Sequence, residues 1–164
     1  MNAVGKLLVT TPNDREVVVT RTFDAPRALV FDCHTKSELV SRWLLGPPGW
    51  TMPVCEIDLR VGGVFRYVWR HPQRGDMGMG GVFREIAAPH RLVNTEKFDQ
   101  DWTGGETLVT TLFEERAGRT TVTVTVRFAS KSARDAAVAT GMMDGWSQSY
   151  DRLDEILAGR EPAE

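Results

Sequence analysis

Polar and apolar residues alternate most strictly from Thr121 to Phe128, T-V-T-V-T-V-R-F, which puts Val122, Val124, Val126 and Phe128 on one face of a strand and Thr121, Thr123, Thr125 and Arg127 on the other. One face of that strand is expected to be buried. Beyond Ala129 the period changes from two to a helical one. Val138, Met142, Trp146, Tyr150 and Leu153 recur by threes and fours until Leu157, predicting one long amphipathic helix from about Ser132. Its Gly141 and Gly145 each cost about 1 kcal/mol of helix propensity relative to Ala, so they are expected to leave room for a close neighbour.

The same reading, carried upstream, gives more strands. Arg15 to Phe23 is rich in β-branched residues and stops at Asp24-Ala25-Pro26, where Asp24 is expected to cap a helix with Pro26 in its first turn. Ala28, Leu29, Phe31 and Cys33 give that helix its apolar side. A second short helix is predicted from Ser37 or Glu38 to Leu44, ended by Gly46-Pro47-Pro48-Gly49. Val54 to Val61 alternates Cys55, Ile57, Leu59 and Val61 against Glu56, Asp58 and Arg60, and Gly62-Gly63 turns into Val64 to Arg70. Strands follow at Met77 to Ile86, Arg91 to Phe98, Glu106 to Glu115 and Arg119 to Phe128, with loops at His71 to Asp76, Ala87 to His90 and Gln100 to Gly105.

The expected fold is therefore α+β: a seven-stranded curved antiparallel sheet gripping one long C-terminal helix, with two short helices after the first strand. A length of 164 residues suits one such domain, placed at 13–158 between loose tails at 1–12 and 159–164. The first twelve residues lack the apolar core of a signal peptide, and no apolar run approaches the roughly 18 residues of a membrane span, so a soluble cytoplasmic protein is expected. Cys33 and Cys55 are too few for a disulfide framework and lack metal spacing, and they read as packing residues. A net charge of -2 gives no basic excess for nucleic acid or an anionic membrane. Arg outnumbers Lys by 16 to 4, as in proteins from GC-rich bacterial genomes.

Five strings together carry a resemblance: F-D-A-P-R-A-L-V-F (Phe23 to Phe31), W-L-L-G-P (Trp43 to Pro47), E-I-D-L-R-V-G-G (Glu56 to Gly63), G-V-F-R-E-I with P-H-R-L-V (Gly81 to Ile86, Pro89 to Val93), and G-M-M-D-G-W-S-Q-S-Y-D-R-L (Gly141 to Leu153). In this order, from about Arg15 to Leu157, they resemble the activator-of-heat-shock-protein-90-ATPase homologue family. That family belongs to the START-like, or SRPBCC, superfamily, whose helix-grip fold resembles the birch-pollen allergen and the aromatic polyketide cyclases. The resemblance implies a deep apolar cavity between sheet and helix. It leaves the activity open among lipid carriers, hormone receptors, cyclases, dehydratases and stress-related co-chaperones, because one fold hosts many functions.

The residues expected to line such a cavity are Trp43, Trp50, Phe65, Tyr67, Trp69, Met77, Met79, Phe83, Phe98, Met142, Trp146 and Tyr150, an aromatic and Met inventory that serves equally as plain core. His34, His71 and His90 have no partner at metal spacing, and no metal or other cofactor is expected. Nucleophile elbows and phosphate-cradling glycine loops are absent, and Gly78, Gly80 and Gly81 read as bulge or close-packing glycines. Acid-base chemistry would need an ionisable group inside the cavity. Glu96 and Tyr67 are the candidates, although the facing of Leu92 to Phe98 is not fixed by pattern. The first reading is thus a non-enzymatic binder of a hydrophobic small molecule. A protein partner or second copy docking on the outer sheet face, and a polyketide cyclase or dehydratase, are the alternatives.

Overall fold

The computed structural model describes residues 5–159. Eight strands form one antiparallel sheet: β1 (Leu8–Thr10), β2 (Glu16–Phe23), β3 (Thr51–Ile57), β4 (Val64–His71), β5 (Gly75–Ala87), β6 (Arg91–Phe98), β7 (Thr107–Arg116) and β8 (Arg119–Arg127), in the spatial order β1-β2-β8-β7-β6-β5-β4-β3. The helices are α1 (Arg27–Thr35), α2 (Ser37–Trp43), α3 (Lys131–Ala139) and α4 (Met142–Leu157). Since β2 lies near one edge and β3 forms the other, the α1-α2 segment carries the chain across the width of the sheet.

The alternation in β8 does what it predicts. Val122, Val124 and Val126 are buried, opposite Phe113, Thr111 and Val109 of β7 on one side and Arg21, Val19 and Val17 of β2 on the other. These rows form the floor on which α4 rests through Ser149, Tyr150 and Leu153. Arg21, in the same inward row, is 1% exposed and reaches up to α4, where it pairs with Asp151 (2.9 Å) and Asp154 (2.6 Å).

Several sequence expectations are corrected. The count is eight strands rather than seven, because Leu8–Thr10, read as part of a loose tail, pairs with Val18 to Thr20 at the sheet edge; the two short helices accordingly follow the second strand. Residues 1–4 and 160–164 of the expected tails lie outside the described residues. The single long helix is two. Gly141 adopts φ +83°, and its N–H and that of Thr140 bond back to Val138 and Ala137, ending α3 in a left-handed turn before α4 begins. Gly145 does sit against a close neighbour, since a side chain there would meet the Pro47 ring.

The strand expected over Val54 to Val61 begins and ends earlier. Asp58 to Gly63 folds into a turn closed by bonds from Arg60 to Asp58 and from Gly63 to Arg60, leaving Leu59 (40%) and Val61 (62%) exposed. Any side chain at Gly63 would collide with the Asp58 carbonyl, so the glycine pair permits a tighter turn than the alternation suggests. Asp24 does not cap α1: the N-cap is Pro26, and Glu115 at the end of β7 accepts the Arg27 N–H at 2.7 Å. That first-turn donor finds its acceptor 88 residues away in sequence.

Buried apolar residues fall into two clusters. One joins β2, β7 and β8 to α1 and α4; the other joins β4 and β5 to Val40 of α2. The two meet along a seam over the middle of the sheet.

Candidate functional site in the seam between the two cores

The seam is not filled. A cavity of about 140 Å³ lies there, lined by residues of both clusters from every long strand of the middle sheet, from α1 and α2 and from α4. Its size is close to the roughly 150 Å³ apolar cavities that admit a benzene ring. The aromatic wall is Trp43, Phe65, Tyr67, Phe83, Trp146 and Tyr150; the aliphatic floor is Leu92, Val109, Val124 and Val126. Gly81 makes this possible on the β4-β5 side, because a side chain there would collide with the Phe65 ring and the Thr95 carbonyl.

Six of the twelve residues expected to line a cavity therefore do so: Trp43, Phe65, Tyr67, Phe83, Trp146 and Tyr150. Trp50, Trp69, Met77, Met79, Phe98 and Met142 do not. Trp69 and Met79 are buried in the second cluster, and Trp50, Met77 and Phe98 pack against it. The Trp69 indole N–H donates to the Leu44 carbonyl at 2.7 Å, and the Phe98 ring stands 4.6 Å from that of Trp102. The Trp50 ring packs on His71 at 5.1 Å. Met142, at the first turn of α4, is half-buried against the first cluster. All six are aromatic or Met side chains doing core work, a role that residue type cannot separate from cavity lining.

Of the polar lining, Glu96, Tyr67 and Tyr150 were named from the sequence, whereas His34, Asn94 and Thr111 were not. Leu92, Asn94 and Glu96 share the cavity face of β6, which settles the facing that the pattern left open. Burial pushes the Glu96 carboxyl up to about 7. Among the described residues its carboxylate has no hydrogen-bond donor and no cation; only its backbone carbonyl is engaged, by Thr107. Tyr67 projects from β4 into the same space, and its phenol is raised well above the ordinary tyrosine range by burial first and then by the nearby Cys55 and Glu96.

His34, read as a helix-end residue, lines the cavity from α1. Its Nδ1 lies 2.8 Å from the Val30 carbonyl, which can only accept, so Nδ1 carries the proton and Nε2 is left as an acceptor 3.5 Å from the Tyr150 hydroxyl. Burial lowers its pKa to about 4, and the ring is neutral at pH 7, set among Trp43, Phe113 and Tyr150 at 5.0 to 6.0 Å. The Tyr150 hydroxyl is itself pushed up to about 12 by burial. Asn94 donates one amide N–H to the Thr95 carbonyl at 3.1 Å and keeps its second N–H and its carbonyl oxygen. The i, i+4 spacing of Val30 and His34, with Phe31 and Cys33 between them, was the one sequence signal that could have placed His34 inward.

The cavity roof is tied down by α4. Ser149 Oγ accepts the Gly46 N–H at 2.8 Å, and Arg152 donates to the Gly46 carbonyl at 2.7 Å, fixing the Leu44 to Pro47 segment over the seam. Trp43 is held by its indole N–H on the Cys33 carbonyl at 2.8 Å. Cys33 and Cys55 are free thiols, each pushed up to about 11 chiefly by burial. Asp58 and Arg60 lie outside and pair with each other at 2.8 Å. No group of three metal-ligating side chains gathers among the described residues, and none of their helices is long and apolar enough to cross a membrane.

One open antiparallel sheet curved around a C-terminal helix, with a cavity between them, defines the START-like, helix-grip class of α+β proteins. Within it, this chain belongs to the family described as Activator of Hsp90 ATPase homolog 1-like protein, which matches residues 24–158. A crystal structure of a Rhodobacter sphaeroides protein is similar at 31% identity over 94% of this chain and 99% of that one, with a TM-score of 0.88. A Staphylococcus epidermidis protein solved by NMR is 27% identical over 92% and 93%, with a TM-score of 0.79. A Plasmodium falciparum protein described as an HSP90 activator is 25% identical over 88% and 96%, with a TM-score of 0.63. Among curated proteins, none matches.

Proposed function

We propose that this protein binds a small hydrophobic or aromatic molecule in the cavity between its sheet and α4, without needing to transform it. The observation that carries the reading is a ring-sized void in the middle of the fold, walled by six aromatic residues and furnished with a few polar groups, which is how small-molecule sites are built. Two free, inert thiols suit a reducing cytoplasm, where we place the protein. The test is a thermal-shift screen of one-ring compounds, with native mass spectrometry of freshly purified protein. A co-purified ligand, or a saturable rise in melting temperature, supports the reading when Val109→Phe, which fills the cavity from its floor, remains folded and loses the effect. If no compound shifts the wild type and nothing co-purifies, the reading falls.

A second reading is a co-chaperone-like contact with a protein. It is favoured by the family and by Leu59, Val61 and Val64, exposed within one turn at the β3-β4 tip. Stimulation of an Hsp90-type ATPase that is lost in Val61→Asp would support it; no stimulation would remove it. A cyclase or dehydratase role rests on Glu96 and Tyr67 facing the cavity, and turnover of a polyketide-like substrate is its test.

A further inference from the structure

We infer that the cavity selects a small organic cation, a primary ammonium carried on a single ring or short alkyl group, with Glu96 as its counter-ion. The inference rests on the small-molecule reading and narrows it to one charge class. Three observations carry it. First, Glu96 is a carboxylate in the cavity wall without a cation or donor of its own among the described residues, and Lys97, next in the chain, is exposed on the opposite face of β6. The side chain is half-buried, and a carboxylate withdrawn that far from bulk water favours a positive partner.

Second, Glu96 carries the one formal charge in the lining, since neither an Arg nor a Lys borders the space. The other polar groups, His34, Asn94, Thr111 and the Tyr67 and Tyr150 hydroxyls, are neutral and offer acceptors as well as donors. An ammonium brings three donors and no acceptor, which suits the carboxylate and those lone pairs. An anionic ligand would meet the like charge of Glu96 with no cation to offset it. Third, aromatic side chains, Tyr67, Phe65 and Trp146 among them, make up much of the remaining wall, and aromatic rings attract a desolvated cation and pack well on an aryl group. The titratable groups that meet Glu96 across the cavity are Tyr67 on β4, His34 on α1 and Tyr150 on α4, all neutral near pH 7, while Thr107 opposite it on β7 does not titrate. Binding therefore needs Glu96 ionised, and a cation that enters at pH 6 expels the carboxyl proton to solvent while keeping its own.

The experiment is isothermal titration of the full chain with three near-isosteres: benzylammonium, benzyl alcohol and benzoate. At pH 8 benzylammonium is expected to bind at least about tenfold more tightly than benzyl alcohol, and Glu96→Gln to abolish that preference by weakening benzylammonium at least about tenfold. The wild type carries the same test without substitution. Its benzylammonium affinity should fall about tenfold per pH unit below 7, with close to one proton released per site at pH 6, seen as a dependence of the heat on buffer ionisation enthalpy. Benzyl alcohol or benzoate binding as well as benzylammonium, or an ammonium affinity indifferent to both Glu96→Gln and pH, overturns the inference and leaves the small-molecule reading standing. Failure of all three probes to bind the folded protein also overturns the inference, and the small-molecule reading is then decided by the thermal-shift screen and native mass spectrometry.

Discussion

Glu96 and His34 face the same void, and burial pulls their pKa values in opposite directions, the acid up to about 7 and the imidazole down to about 4. The effect on stability has opposite signs. Between about 4.5 and 7 the folded state holds the Glu96 proton that the unfolded chain has released, so this group makes stability fall as pH rises. Between about 4 and 6.5 the unfolded chain holds a proton on His34 that the folded state has lost, so this group makes stability rise with pH. In the wild type the two slopes oppose each other over most of that range. Glu96→Gln is expected to leave the His34 slope exposed, giving a melting temperature that climbs from pH 4.5 to 6.5 and exceeds the wild type at pH 8. His34→Gln should show the converse, a melting temperature that declines toward neutral pH. Thermal melts of the three proteins over pH 4.5 to 8 check both. Neither residue advertises this in sequence: Glu96 sits among Asn, Thr and Lys, where no alternation marks a buried face, and His34 near a helix end reads as ordinary punctuation.

Among the elements, α4 depends on one buried cation. Arg21 extends from β2 beneath the helix, its Nε lacks a hydrogen-bond partner, and its charge is met by two acids a turn apart on α4. They are not equivalent. Asp154 is 27% exposed and 2.6 Å away, whereas Asp151 is 63% exposed. Asp154→Asn should therefore cost about 2 kcal/mol, because the buried guanidinium loses its better-shielded partner, and Asp151→Asn under about 1 kcal/mol. Urea unfolding of both variants measures the difference. The helical period showed that this segment would have an inward face, but it could not show a charge on the sheet under it. In T-R-T the Arg21 side chain falls on the buried parity of β2 with Val17, Val19 and Phe23, and that parity was the only signal. The break at Gly141 was legible in composition, yet it was read as room for a neighbour, because a lone glycine in a helical pattern does not declare a positive φ.

For the molecule as a whole, the alternating strands and the turn residues between them were enough to specify a curved sheet around a C-terminal helix, since period two and period 3.6 are local properties. Which aromatic side chains pack and which border a void was not local. Trp69 and Trp43 are both buried aromatics with their indole N–H on a backbone carbonyl, and only the placement of the two clusters decides that Trp43 reaches the seam while Trp69 stays behind it. The short β1 rung and the early end of β3 at Ile57 were likewise decided by partners far along the chain.

Leu44 and Ile86 pack against both clusters, and the backbone ladder of β5, β6 and β7 joins the two beneath the cavity. An occupant of about one ring would add side-chain contact between them across the cavity. Calorimetry should then show a van't Hoff enthalpy below the calorimetric one for the empty protein and a ratio nearer one with the ligand bound. What the cavity holds would in that case be the piece of core the chain itself does not encode, and melting as a single cooperative unit would be a property of the complex.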